Sequence, residues 1–113
     1  MARIGNTVLS LGATAASAIA ANRFVGFDDA QAGAVGQRVK GVADYAAAKG
    51  DPVALTAKGT AFVETGGVFA AGDLIISDAL GRAIVSTANT DFVKGEALTA
   101  STAVGGYAEI LLR

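Results

Sequence analysis

Residues 48–65, AKGDPVALTAKGTAFVET, and residues 70–87, AAGDLIISDALGRAIVST, carry one skeleton at an offset of 22. Gly50-Asp51 matches Gly72-Asp73, Ala57 matches Ala79, Gly59 matches Gly81, Ala61 matches Ala83, Val63 matches Val85 and Thr65 matches Thr87. In each copy a Gly-acid corner opens an apolar run, a second glycine follows nine residues later, and another apolar run closes the unit. That pattern predicts two β-hairpins. At the strand period, Val53, Leu55 and Ala57 share one face, with Pro52 placed just before them, where a missing N–H is tolerated. Beyond Gly59, Ala61, Val63 and Thr65 face one way and Thr60, Phe62 and Glu64 the other. Leu74-Ile75-Ile76 is apolar on both faces, and so is the Ile84-Val85 pair. A sheet that needs cover on both sides has a core on one and a neighbour on the other.

Outward from this stretch the signals are weaker. Lys94-Gly95-Glu96 and Gly106-Tyr107-Ala108 form a looser third echo, and Tyr107 to Leu112 reads as a closing strand. Gly-centred corners at Gly50, Gly59, Gly72, Gly81 and Gly95 stand 9 to 14 residues apart, the spacing of an all-β barrel or sandwich built from short hairpins. Arg23 to Phe27 reads as a short strand ended by a turn at Asp28-Asp29, and Arg38 to Val42 as a half-exposed strand. Asp44 to Gly50 fits one helical turn, with Asp44 as N-cap and Gly50 as terminator. Residues 1–21 lack a helical stripe and read as an extended N-terminal arm, leaving 22–113 as a single β domain.

Composition bounds what such a domain achieves alone. Of its apolar residues, 26 are alanine, and each buried methyl contributes roughly 0.8 kcal/mol at most. Fifteen glycines add chain entropy that folding must overcome. There is no cysteine to form a disulfide, so oligomerisation is the obvious source of further buried surface. The net charge of −1 argues against a dedicated nucleic-acid binder. Its distribution is +2 over residues 1–42 and −3 over 43–113, which is ordinary scatter. No apolar run approaches the roughly 20 residues of a membrane-spanning helix. The Ala18-Ile19-Ala20 triplet imitates a signal-cleavage site, but Gly5, Asn6, Ser10, Gly12, Thr14 and Ser17 interrupt any apolar core ahead of it, so an uncleaved N-terminus is expected.

Catalytic chemistry lacks its usual residues. The chain has no histidine base, no cysteine nucleophile and no Gly-x-Ser-x-Gly elbow, and its glycines form no dinucleotide or phosphate-loop motif. No catalytic, cofactor-binding or metal-ligating residue is assigned, and no enzyme activity or cofactor is expected. Asp51 and Asp73 recur at equivalent places but read as turn-stabilising residues, and Glu64, Glu96 and Glu109 as solvated strand-face charges. Phe24, Phe27, Phe62, Phe69 and Phe92 have no basic interleaving and read as core or interface. The run Val63 to Val68 followed by Gly72 to Ile75 resembles the half-barrel grammar of biotinyl and lipoyl carrier domains. Lys40, Lys49, Lys58 and Lys94, however, lack the flanking residues of a modified lysine.

Asn22-Arg23-Phe24-Val25-Gly26-Phe27-Asp28, Gly41-Val42-Ala43, Gly50-Asp51 through Val63, Ala71-Gly72-Asp73, Asp78-Ala79-Leu80-Gly81-Arg82-Ala83 and Ala108-Glu109-Ile110-Leu111-Leu112 stand in a characteristic order. Over about residues 20–112 the chain thereby resembles the small phage capsid decoration, or cement, proteins found in prophages. The resemblance implies a β-tulip-like virion protein, made in the host cytoplasm. It would act on the outer surface of the phage head as a homotrimer that stabilises the shell by clamping neighbouring major capsid protein subunits. It implies neither a nucleic-acid nor a membrane partner. A tail- or fibre-associated structural module is the alternative.

Overall fold

The period-two alternation of the doubled stretch becomes extended backbone throughout. The computed structural model describes residues 6–88 and 91–113, and among these it contains eight strands and no helix. They are β1 (Thr7–Thr14), β2 (Phe24–Gly26), β3 (Val39–Ala43), β4 (Pro52–Glu64), β5 (Leu74–Ser77), β6 (Ala83–Val85), β7 (Gly95–Ala97) and β8 (Tyr107–Leu112). All pairings between these strands are antiparallel, in the order β2-β3-β4-β8-β7-β5-β6, with β1 laid against β4. Phe24 N donates to Gly81 O at 2.7 Å and Gly36 N to Ser77 O at 2.9 Å, so the two ends of the sheet nearly close into a barrel. The expected all-β barrel is therefore the observed class.

Its internal arithmetic differs from the offset of 22. The second unit is a true hairpin: β5 and β6 pair through Ile76↔Ile84 across a turn at Asp78–Gly81. The first is not, because β4 runs unbroken for 13 residues through Gly59. Gly59 adopts φ +104° where β4 passes from pairing with β1 to pairing with β8, and a side chain there would strike the Asn6 carbonyl. It is a bend within a strand rather than a corner.

The actual repeat is larger. β1 pairs β4 through Ala13↔Val53 as β4 pairs β8 through Val63↔Ala108. β2 pairs β3 through Phe24↔Val42 as β5 pairs β7 through Leu74↔Glu96. Between the strands, Ile19 and Ala47 exchange both backbone hydrogen bonds (2.8 and 2.9 Å), and Phe69 and Ser101 do the same (3.1 and 2.9 Å). The ladder begins with Ala15 N to Asp51 O at 2.9 Å in one half and Thr65 N to Gly106 O at 2.8 Å in the other. Residues 7–56 and 57–111 thus form two copies of one half-barrel. Their cores correspond: Ile19 and Phe69, Val25 and Ile75, Ala43 and Ala97, Ala47 and Ser101, and Leu55 and Ile110 are all buried.

Each half contains the same kind of corner twice. Ala20-Ala21-Asn22, Ala48-Lys49-Gly50, Ala70-Ala71-Gly72 and Ala103-Val104-Gly105 each end in a left-handed residue, with φ of 60°, 87°, 90° and 89°. Asparagine tolerates that conformation and glycine adopts it without strain. Gly50, Gly72 and Gly81 are corners as expected. Gly95 is not: it lies inside β7, and Gly105 takes the corner instead. Nor do residues 44–50 form a helical turn, because Ala47 is committed to its bridge with Ile19 and the Asp44 carboxylate accepts from Thr56 Oγ1 at 2.7 Å.

Side-chain polarity was also partly misplaced by pattern alone. β3 is mostly buried, because β2 and β4 flank it and only Lys40 is partly exposed. Glu64 is paired with Arg23 at 2.9 Å and Glu96 with Arg113 at 2.6 Å, so neither is simply solvated. Asp73 accepts from Ala70 N at 2.8 Å, the turn-stabilising role expected of it. The buried Asp78 does more, accepting from Leu80 N, Arg82 N and Arg82 Nε and so holding the β5–β6 turn.

Gly41 and Gly95 occupy equivalent places in the two halves. A Cβ on Gly41 would lie 2.6 Å from the Thr56 carbonyl oxygen, and one on Gly95 would overlap the Leu111 carbonyl. Gly50, by contrast, has open space and only its φ of +87° to protect. Gly50→Ala is expected to cost about 1–2 kcal/mol through left-handed strain. Gly95→Ala, which overpacks against backbone, is expected to cost about 3 kcal/mol or more. Thermal melts report roughly 4–8 °C per kcal/mol at about this size. Equal losses in the two variants would show that the strand crossing is not limiting.

Candidate docking surfaces

β1 is the least enclosed strand. Six of its eight residues are exposed, Val8 at 79%, and the strand pairs only with β4 among the described residues. Its counterpart in the second half, the C-terminal part of β4, is flanked on both sides. β8 lies along one edge, while Asn22 O accepts from Glu64 N at 2.9 Å and Asn22 Nδ2 donates to Phe62 O at 2.9 Å. An edge strand presents unpaired N–H and C=O groups that another strand can extend. Of residues 1–21, expected to form an arm, residues 7–14 lie along β4, Ala15 and Ile19 belong to a buried cluster with Val25, Val53 and Leu55, and residues 1–5 lie outside the described residues.

A second surface is the outward face of β4, β8, β7 and β5. Register aligns Leu74, Glu96, Leu111 and Thr60 in one row, Glu109 and Phe62 in the next, and Tyr107 with Glu64 beyond them. Leu74, Leu111 and Tyr107 are each more than 40% exposed, which is where the apolar residues on both strand faces leave surface uncovered.

The third surface is a cleft of about 470 Å³ at one end of the barrel. Register brings Gly26, Val39, Gly59, Leu112 and Gly95 to this end, and the residues beside them furnish its walls. The Arg38 guanidinium stands 5.2 Å from the Phe92 ring centre and 5.9 Å from that of Phe27, within cation–π range. Both rings are exposed, at 52% and 62%. Lys94 Nζ donates to Arg113 O at 2.9 Å. Phe24 and Phe69 lie in the core, as expected of some of the aromatics, and Phe27 and Phe92 lie on the surface. Arg38 and Lys94 carried no sequence signal as a pair, because only the barrel brings residues so far apart together. Of the lysines considered for a carrier, Lys49 alone lies in a turn. Lys40 and Lys58 lie within strands, and Lys94 immediately precedes β7.

A model of the phage cement protein family matches residues 2–113. The chain belongs to that family. It is accordingly a structural protein associated with the phage head, as the sequence resemblance implied, and its place is the virion. No curated protein matches it. Among solved structures, the N base of the head fiber gp8.5 of bacteriophage phi29 shares the fold, with a TM-score of 0.65 and 20% identity over 93% of each chain.

Burial pushes the Lys94 ammonium below its ordinary value of 10.5, and the charge of Lys58 pushes it the same way. The folded cement protein therefore releases this proton before the unfolded chain does. Over the interval up to pH 10.5 the unfolded state binds more protons, so the contribution of Lys94 to stability rises with pH. Lys94→Met removes that dependence. Melts of the two proteins side by side are expected to show wild type gaining on the variant as pH rises from about 7 toward 10. A constant gap between them would contradict the burial of the charge.

Proposed function

We propose that this cement protein binds the outer surface of the expanded head as a trimer and clamps neighbouring major capsid subunits together. The observation that carries the reading is the open edge of β1, the one half-barrel position whose counterpart is covered by the chain itself. A strand of the capsid subunit continues the sheet there, adding backbone hydrogen bonds without large side chains. The outward face around Leu111 packs between protomers, adding the apolar burial that an alanine-rich domain lacks. Many such contacts over a lattice act together, so that modest single-site affinity suffices to brace the shell.

The test mixes purified protein with expanded heads that lack it. Saturable binding is expected, and a variant without residues 2–12 is expected to lose most occupancy at temperatures where it is still folded. Failure of the intact protein to bind at saturation would sink the reading, and undiminished occupancy of the deletion would remove β1 from it. For the trimer, sedimentation velocity should show the free protein above monomer mass and Leu111→Arg shifted toward the monomer. A wild type that sediments as a monomer at high concentration would place assembly after docking. The likeness in fold to the base of a head fiber favours a second reading, in which the domain anchors a projecting structure. In that case the protein would be found bound to a fibre or tail component rather than spread over the shell.

A further inference from the structure

The cleft beside Arg38 has a charge arrangement that the fold itself does not use. Its acidic neighbours have hydrogen-bond partners of their own, and those of Asp91, which lines the cleft, are neutral and leave its charge uncancelled. Asp91 accepts from Thr87 N at 3.2 Å, Ala88 N at 3.1 Å and Ser86 Oγ at 3.1 Å. Glu96 is held by Arg113, and Asp28 accepts from Ala30 N at 3.2 Å. Arg38, by contrast, makes no hydrogen bond or ion pair among the described residues, and its guanidinium lies over the rings of Phe27 and Phe92. A ring contact uses none of the guanidinium's N–H donors as a conventional hydrogen bond, so they remain available to an acceptor. Lys94 stands in the same cleft, donating to Arg113 O, with Lys58 near enough to depress its pKa. With Arg113 paired to Glu96, Arg38 and Lys94 outnumber Asp91 in this notch, which also has two exposed aromatic walls, in a protein whose net charge is −1.

We infer that this notch receives a carboxylate side chain, together with the apolar residue beside it, from an acidic segment of the capsid subunit on which the protein docks. The inference rests on the head-binding reading and names the chemistry of one of its contacts. A carboxylate matches the planar fork of Arg38 in a bidentate pair, whereas Phe27 and Phe92 take an apolar neighbour. The volume suits such a short segment, lying in the lower part of the roughly 300–1,000 Å³ range of ligand pockets. Register also places the notch at the end of the barrel where β1 begins, since Leu9 pairs with Lys58 and Gly59 with Leu112. A strand entering along β1 therefore passes close to it. An anion in the notch would also push the Lys94 pKa back toward its ordinary value.

Head-binding assays with wild type, Arg38→Gln, Arg38→Glu and Arg38→Lys at about 50 and about 300 mM salt test the assignment, because exposed charge contacts weaken with screening. Circular dichroism melts check that each variant folds. Arg38→Glu is expected to lose about tenfold or more in affinity and to flatten the salt dependence, Arg38→Gln to lose less, and Arg38→Lys to recover only part. If wild type itself does not bind heads, the underlying reading fails. If wild type binds and Arg38→Glu binds equally well with the same salt dependence, the notch is not part of the contact. A short DNA duplex that binds wild type but not Arg38→Glu would make phosphate the ligand and overturn the carboxylate assignment.

Discussion

A side chain has no room where Gly41 crosses the Thr56 carbonyl or where Gly95 crosses the Leu111 carbonyl, and the barrel depends on both crossings. At each, a short strand lies so close to its long partner that β2 or β5 can fold over the far side. Separating the strands by the width of a methyl group would pull Val25 and Ile75 away from the buried clusters they complete. Neither glycine needs an unusual backbone angle; what matters is the missing Cβ. The abundance of glycine and alanine, which reads as weakness in a bookkeeping of buried area, is therefore the condition for close packing of so small a barrel. It is also why burial alone leaves the domain thin.

The strand content and much of the core alternation were legible in the sequence, since Val53, Leu55, Ala61, Val63, Ile110 and Leu112 follow the two-residue period and are buried. The Gly-acid corners were legible for the same reason, because Gly50 and Gly72 do occupy left-handed turns. The duplication was not. One of the four corners carries Asn22 in place of glycine, and one extra residue between Ser101 and Gly105 shifts the second copy out of step. The β5–β6 hairpin is also longer than the connection it matches after β2. A search for identical residues therefore found the corner at Gly50 and the corner at Gly72, which lie at different places in their halves. Gly59 and Gly81 completed that false register, although one bends a strand and the other turns a hairpin. The docking surfaces were legible only as a surplus of apolar strand faces. The notch was not, because a cation and two rings acquire meaning only when the barrel end assembles them.

Duplication also makes the molecule's asymmetry informative. Two halves with the same register should enclose their leading strands equally, yet the C-terminal part of β4 is covered by Asn22 while β1 is not. The corner of the first half, through Asn22, covers the second half, and among the described residues no equivalent backbone pairing covers β1. Among the described residues, the repeat therefore leaves β1 with an edge that its counterpart does not have. A family that acts by attachment to a lattice has a direct use for such an edge.

The proposed contacts divide the task of attachment along physical lines. Backbone pairing along β1 is indifferent to side-chain identity, so it adds affinity but discriminates poorly between one exposed strand and another. Exposed charges contribute little to stability and are sensitive to salt, but they do discriminate, since a wrongly placed like charge is repelled. Placing Arg38 and Lys94 where an incoming strand passes lets the weak, selective interaction govern the strong, unselective one. In a shell of many identical subunits that order matters: a decoration protein that paired with any free edge would aggregate with its own copies before reaching the head. Two copies brought together at the same barrel end would oppose cation to cation, while an acidic capsid segment would not. On the proposed reading, the charge pattern at this end also disfavours self-pairing through the β1 edge.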